Sequence, residues 1–393
     1  MNKNIFNPRV QQFLTDNLKA DLHRIALNKS PFENITSREL AEQLDSKKRA
    51  EKKIPLWYNT PGIIFPAKLS VEQSSSQLTA EYKNRLIKGD KIIDLTGGFG
   101  VDTFFFSKNA KEVVHCEKST ELSLLAEHNL SVLGANNVRF INADSIVYLK
   151  ESSETFDTVY VDPSRRIESK KVFLLSETEP DVISNLSLFL SKATRVIIKT
   201  SPLFDIQSGL NELSQVSQVH VVSVKNDCKE LLWVIDKDFT GEAEIISTAI
   251  GPVGQKSFQF KFSDEKNLKL ESYTPALKYL YEPDVSLLKA GCFKSISEAF
   301  NVVKLHQHSH LYTSNTLVDD FPGKTFLVKN VIGYKQFIKE NQLKKANVIS
   351  RNFPHSPDEL KKKHKISDGG TEYLIFTTTF PDKLLVIHAQ SMQ

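Results

Sequence analysis

One stretch constrains this chain more than any other: Asp94-Leu95-Thr96-Gly97-Gly98-Phe99-Gly100-Val101-Asp102, entered by the apolar run Lys91-Ile92-Ile93. A short β-branched run that breaks into glycines and leads into a helix-like segment reads as a strand, a tight turn and a helix. Glycine lets the backbone turn sharply and lets a ligand approach with no Cβ in the way. The unpaired N–H groups at the start of the following helix face the same turn.

The surrounding pattern places this unit in a larger sheet. KIIDLT, EVVHCE, VRFINA, TVYVDP and RVIIKT are short β-branched runs separated by helix-like segments. That alternation predicts a parallel sheet with helices on both faces. The series then changes. QVHVVSV and ELLWVID are joined only by the short polar link around Lys225-Asn226-Asp227. So short a link requires an antiparallel hairpin. The predicted class is therefore α/β, a Rossmann-like parallel sheet finished by an antiparallel hairpin. Residues 1–88 read as helical, with Val10, Phe13, Leu14, Leu18 and Leu22 at helical spacing and Leu40 and Leu44 four apart. Ser70 to Leu86 reads as one further helix. Beyond about residue 250 the chain has α+β character and ends in a hairpin of YLIFTT with KLLVIHA.

Two cofactor classes use a glycine-rich turn. A dinucleotide needs GxGxxG for its pyrophosphate, and here the third glycine position is Thr103. S-adenosylmethionine carries an ammonium and a sulfonium instead, and an acid four residues before the first glycine of a GxG suits that charge. Asp94, Gly98 and Gly100 have that spacing, and Asp102 offers a second acid near the methionine end. Glu117 ends the second strand, 20 residues after Gly97, where a carboxylate accepts from both ribose hydroxyls. Asp144 follows the third strand and is placed to accept the adenine amino group. Asp162 ends the fourth strand, followed by Pro163-Ser164-Arg165-Arg166, at the edge where ligands sit in open α/β sheets. Taken singly, each of these is as well explained by a turn or a solvated strand end. Their succession at consecutive strand tips is what points to a nucleoside cofactor. Lys199 to Pro202, at the fifth tip, are weaker candidates.

DLTGGFGVD, CEKS, NAD and VDPSRR resemble, in order and spacing, the motifs of class I S-adenosylmethionine-dependent methyltransferases. PGIIFPAKLSVEQSSS, YLYEPDVSLLKAG and KISDGGTEYL extend the resemblance to bacterial multi-domain members with a C-terminal THUMP-like domain. The resemblance implies four parts: a helical region at 1–88, the methyltransferase core at 89–250, a ferredoxin-like α+β domain at 251–318 and the THUMP-like domain at 319–393. It also implies cofactor contacts from Asp94, Thr96, Gly97, Gly98, Gly100, Asp102, Glu117, Lys118, Ala143 and Asp144, and an acceptor site at Asp162, Pro163, Ser164, Arg165 and Arg166. Base-nitrogen methylases often carry Pro-aromatic after this Asp-Pro or Asn-Pro; here Ser164-Arg165 stand instead. THUMP domains in general bind RNA, so an RNA substrate, tRNA or rRNA, is implied.

Methyl transfer is in-line attack that needs alignment more than acid or base help. No metal, no nucleophile and no covalent intermediate is therefore expected. His306, His308 and His310 would share one face on a strand, but no fourth ligand lies nearby and no metal is expected there. Between Phe321 and Ile366 ten lysines and one arginine face three acids. With Phe326, Tyr334, Phe337 and Phe353 interleaved, the segment suits a phosphate backbone and stacked bases. The whole-chain charge of +4 does not by itself argue for nucleic acid. Three scattered cysteines, no apolar run in MNKNIFNPRVQQFL and no membrane-length apolar stretch predict a cytoplasmic protein. A methyltransferase for protein or small molecules, and a non-catalytic cofactor- or RNA-binding protein, remain the alternatives.

Overall fold

The computed structural model describes residues 2–165, 175–252, 254–270, 272–341 and 343–392. They form two compact units, one of residues 1–217 with 232–241 and one of 218–231 with 242–393.

The first unit is built on β1 (Lys91–Asp94), β2 (Glu112–Cys116), β3 (Val138–Ile141), β4 (Phe156–Val161) and β5 (Ala193–Thr200). They lie in the order β5-β4-β1-β2-β3 and every neighbouring pair is parallel. β1, β2 and β4 are buried along nearly their whole length. That is why they read as continuous apolar runs rather than alternating ones. The chain reverses between β1 and β4, which both leave from the same sheet edge, so Asp94 and Asp162 emerge side by side. This is the switch point expected of the class.

The N-terminal segment is helical and docks on the helix that follows the glycine turn. The helix Ser37–Lys53 starts at a Thr36/Glu39 capping box and buries Leu40 and Leu44. Trp57 is fully buried and meets Phe104 edge-on, with ring centroids 4.9 Å apart. Asn129 acts as a strand surrogate: its side chain accepts from Ile64 N at 2.9 Å and donates to Ile64 O at 2.8 Å. The loop before Ser70 is thereby pinned to the helix Thr120–Val132. Ser70 to Leu86 is not one helix. It is Lys68–Gln73 and Gln77–Lys83, broken at Ser74-Ser75-Ser76. Ser76 leaves the helical path to cap Thr79 N, and Ser75 turns inward to the site described below. Serines favour such local bonds over helix continuation.

In the second unit, β6 (Val216–Val224, from residue 218) and the first half of β7 (Asp227–Asp236) form the predicted hairpin. Lys225 and Asn226 both have positive φ, 53° and 59°, the backbone a tight two-residue hairpin turn demands. β8 (Glu244–Gly251) runs parallel to β6, and β9 (Gly254–Phe260) antiparallel to β8. A second sheet contains β10 (Tyr279–Pro283), β11 (Val303–Lys304), β12 (Tyr312–Ser314), β13 (Gly323–Gly333), β14 (Asn347–Arg351), β15 (Glu372–Thr379) and β16 (Lys383–Ser391). Its order is β11-β12-β10-β13-β16-β15-β14, and β15 with β16 is the predicted closing hairpin. Among the described residues no helix is long and apolar enough to cross a membrane.

Replacing Asn129 tests the docking of the N-terminal helices. Asn129→Ala strands a buried N–H and a buried C=O, each costing about 1–3 kcal/mol. Urea unfolding is expected to show a loss on the order of 2–6 kcal/mol, with faster proteolysis before residue 88; an unchanged midpoint would contradict the docking described here.

Candidate active site

Asp94 is the last residue of β1 and is almost completely buried. Its Oδ1 accepts from Thr96 N at 3.0 Å and from Thr96 Oγ1 at 3.4 Å, and its Oδ2 from Thr103 Oγ1 at 2.7 Å. Burial, then the charges of Asp102 and Asp162, push its carboxyl up to about 7, against the pull of the Thr103 and Thr96 bonds. The turn itself needs its glycines. Gly98 and Gly100 have φ of 51° and 81°, and a Cβ on Gly97 would lie 2.3 Å from His115 Nε2. His115 is buried beneath that turn, and neither ring nitrogen has a partner among the described residues. Burial pushes its ring down to about 4, so it is a neutral filler under the loop.

The turn is tied to the neighbouring strand by the Gly97 N–H, which donates to Cys116 O at 2.9 Å, and by Glu117. Gly98 N donates to Glu117 Oε2 at 2.9 Å, and Ser119 N donates to Oε1 at 2.7 Å. Each Glu117 oxygen keeps a second lone pair for a further donor. A cavity of about 150 Å³ lies over the turn, lined by Ser70, Gln73, Ser74, Ser75, Asp94, Thr96, Gly97, Gly98, Phe99, Gly100, Val101, Asp102, Leu122 and Asp162. Seven of the residues expected from the sequence thus face one space: Asp94, Thr96, Gly97, Gly98, Gly100, Asp102 and Asp162.

The other expected residues that the structure describes are not among those lining it. Glu117 adjoins the cavity through Gly98. Lys118 is exposed and pairs with Glu179. The Ala143 carbonyl accepts from Cys116 Sγ at 3.6 Å. Asp144 is exposed at its strand tip, and its Oδ1 caps the helix Ser145–Glu151 through Ile146 N and Val147 N. Pro163 is half-buried, and Ser164-Arg165 pair as a two-residue ladder with Thr178-Glu179. The Arg165 side chain and all of Arg166 lie outside the described residues.

Two features escaped the sequence reading. Asp102 is not a free second acid: Lys83 Nζ lies 3.1 Å from its Oδ1, and Ser75 Oγ and Tyr160 Oη donate to its Oδ2 at 2.7 and 3.0 Å. Burial raises its carboxyl, but Lys83, Lys199 and the Ser75 bond outweigh that and hold it below the usual carboxylate range. Lys83 is itself completely buried and also donates to Ser75 Oγ at 2.7 Å. The second is the partner of Lys199, a weaker candidate from the sequence: its ammonium on β5 is bonded to Asp162 Oδ2. Asp162 N in turn donates to Thr96 Oγ1 at 2.7 Å. Three carboxylates and two lysines therefore meet at this edge of the sheet.

The basic segment of the second unit is corrected in one respect. Phe326 and Phe337 are buried, and Tyr334 and Phe353 pack on the same core as Phe337. They are core residues rather than platforms for bases, while Lys335, Lys339, Lys344, Lys345, Lys362, Lys363 and Lys365 are exposed. His306, His308 and His310 lie in a turn, not on a strand. His306 Nε2 bonds to Asp382 Oδ1 at 3.0 Å, and His310 stacks on Phe293.

Comparison with known proteins agrees with this layout. Residues 279–322 match a ferredoxin-like domain and residues 323–391 a THUMP domain-like family. A crystal structure of a candidate methyltransferase from Porphyromonas gingivalis W83 superposes with a TM-score of 0.91, at 29% identity, covering 100% of both chains. An uncharacterized RNA methyltransferase of Mycoplasma mobile is 32% identical over 184 residues, 45% of this chain and 48% of that protein. Ribosomal RNA small subunit methyltransferase J of Francisella philomiragia is 27% identical over 147 residues, 32% of this chain and 60% of that protein. The 23S rRNA (uracil(1939)-C(5))-methyltransferase RlmD of Aeromonas hydrophila is 38% identical over 98 residues, 24% and 21% of the two chains. The chain thus spans 60% or less of the length of these curated relatives. It has the methyltransferase fold and ends in a THUMP-like domain.

The buried ion pair can be tested on its own. Lys83→Met leaves Asp102 charged and buried, which costs about 3–5 kcal/mol. Chemical denaturation is expected to show that loss, and adding Asp102→Asn should recover part of it; a neutral single variant would contradict the pairing.

Proposed function

We propose that this chain transfers a methyl group from S-adenosylmethionine to a nitrogen of a base in RNA, tRNA or rRNA. The observation that carries the reading is the convergence of Asp94, the Gly98–Glu117 bond and Asp162 at one sheet edge. When bound, that cofactor supplies a methyl group on a positive sulfur, which departs as a neutral thioether. The donor set fits it. Asp94 stands where the cofactor's ammonium would sit, and Glu117 keeps lone pairs for the ribose hydroxyls. A cavity of about 150 Å³ suits an amino-acid-sized group, since sites for whole ligands run to about 300 Å³ or more. Sugar and base would then lie along the strand tips at Glu117 and Asp144. Asp162 would accept an N–H of the target amine and take up the proton it sheds.

Nitrogen is favoured over carbon by the cysteines. One relative's name specifies C5 of uracil, a weakly nucleophilic carbon whose methylation calls for prior attack by a thiolate or its equivalent. Cys116 is the only cysteine of the first unit, and it is buried on β2 with its thiol pushed up to about 12. It is no candidate for that role. The exposed lysines of the THUMP-like domain supply the charge that RNA requires. The four-part organisation at 1–88, 89–250, 251–318 and 319–393, and a cytoplasmic location, belong to the same proposal.

Two measurements check it. Transfer of label from methyl-tritiated cofactor to total RNA is expected, with loss of at least a hundredfold in Asp162→Ala; label confined to protein would overturn the RNA reading. The second is calorimetry against pH. A cationic ligand needs Asp94 ionised, and Asp94 is protonated below about 7. Affinity should therefore rise roughly tenfold from pH 5.5 to 7, with proton release. Asp94→Asn should bind weakly with a flat profile; a flat wild-type profile would contradict the role of Asp94.

A further inference from the structure

We infer that Lys199 is a positioning residue of the methyl-transfer site, holding Asp162 in one orientation toward the acceptor nitrogen. The inference rests on the reading of Asp162 given above. β4 and β5 are parallel neighbours, with Val161 opposite Ile198. The next residues, Asp162 and Lys199, therefore follow side by side at the sheet edge. A lysine at a strand tip ordinarily reaches into water. This side chain is only 16% exposed and turns to Asp162 Oδ2 instead. Withdrawing an ammonium from water is costly unless a carboxylate repays it, so the geometry is one that the pair must hold together.

Its effect on Asp162 is specific. Thr96 Oγ1 fixes the backbone N–H, and Lys199 takes Oδ2. Oδ1 has no hydrogen-bond partner among the described residues, and Asp162 lines the cavity. Among the described residues, the charged groups facing Asp162 are Lys199 from β5 and Asp94 from β1, while Asp102, on the helix after the glycine turn, faces Lys199. Without Lys199, Asp162 would be left beside other carboxylates. It would then lose its fixed rotamer, which weakens its hold on an amine N–H.

The full-length protein serves for the test, with Lys199→Met, Lys199→Arg and Asp162→Ala. In cofactor-free protein the carboxyl 13C resonance of Asp162, assigned with Asp162→Asn, should shift or broaden in Lys199→Met and stay near wild type in Lys199→Arg. On RNA, Lys199→Met should lower kcat at least tenfold and leave KM for RNA within about threefold of wild type. Its cofactor Kd should stay within about threefold of wild type, and Lys199→Arg should recover most of the rate. An unchanged resonance, or a changed resonance with wild-type kcat, overturns the inference. Should Asp162→Ala label RNA as well as wild type does, the proposed function itself falls; should Asp162→Ala be inactive and Lys199→Met normal, only the role of Lys199 falls.

Discussion

Like charge at one sheet edge is the constraint around which the first unit is built. Asp94, Asp102 and Asp162 come together because β1 and β4 are neighbours and the helix after the glycine turn folds back over them. Three buried or half-buried carboxylates repel one another, and the fold answers with two lysines from opposite directions. Lys83 comes from the N-terminal helices and Lys199 from β5. The remaining imbalance rests on Asp94, whose carboxyl is pushed up to about 7. A ligand carrying positive charge would relieve that imbalance, whereas an anionic one would worsen it. On the proposed reading, the same arithmetic suits a sulfonium and an ammonium at this turn better than a phosphate.

The N-terminal helices are part of this balance and not an appendage. Lys83 and Ser75 both end on Asp102, and Ser70, Gln73, Ser74 and Ser75 form a wall of the cavity. Asn129 and Trp57 hold the segment in place from the other side. A change in the N-terminal core therefore reaches the site through the serine break.

Much of this was legible in the sequence, and the misses share a cause. Strand runs, the glycine turn and the acids at successive tips are local patterns, and the sheet places them as their spacing predicts. Lys83 was not legible as a site residue and Lys199 only as a weaker candidate, because a lone lysine near the end of a helix or strand carries no mark of its partner. The break at Ser74-Ser75-Ser76 was read as helix because its flanks keep helical spacing; only the caps and the contact with Asp102 show why it stops. In the THUMP-like domain the lysines were read correctly as a charged face. The aromatics between them were not, since spacing alone does not separate a core phenylalanine from one offered to a base. Asp102 fits the motif, but its partner lies 19 residues upstream on another element, so its role emerged only from the fold.

The central claim is that carboxylates at successive strand tips grip one sulfonium nucleoside. A crystal structure of the full chain with S-adenosylhomocysteine tests this most directly. The account predicts the ribose hydroxyls at hydrogen-bond distance, about 2.7 Å, from Glu117, and the amino group over the turn beside Asp94. A nucleoside bound away from Glu117, or none at saturating concentration in well-ordered crystals, would contradict it.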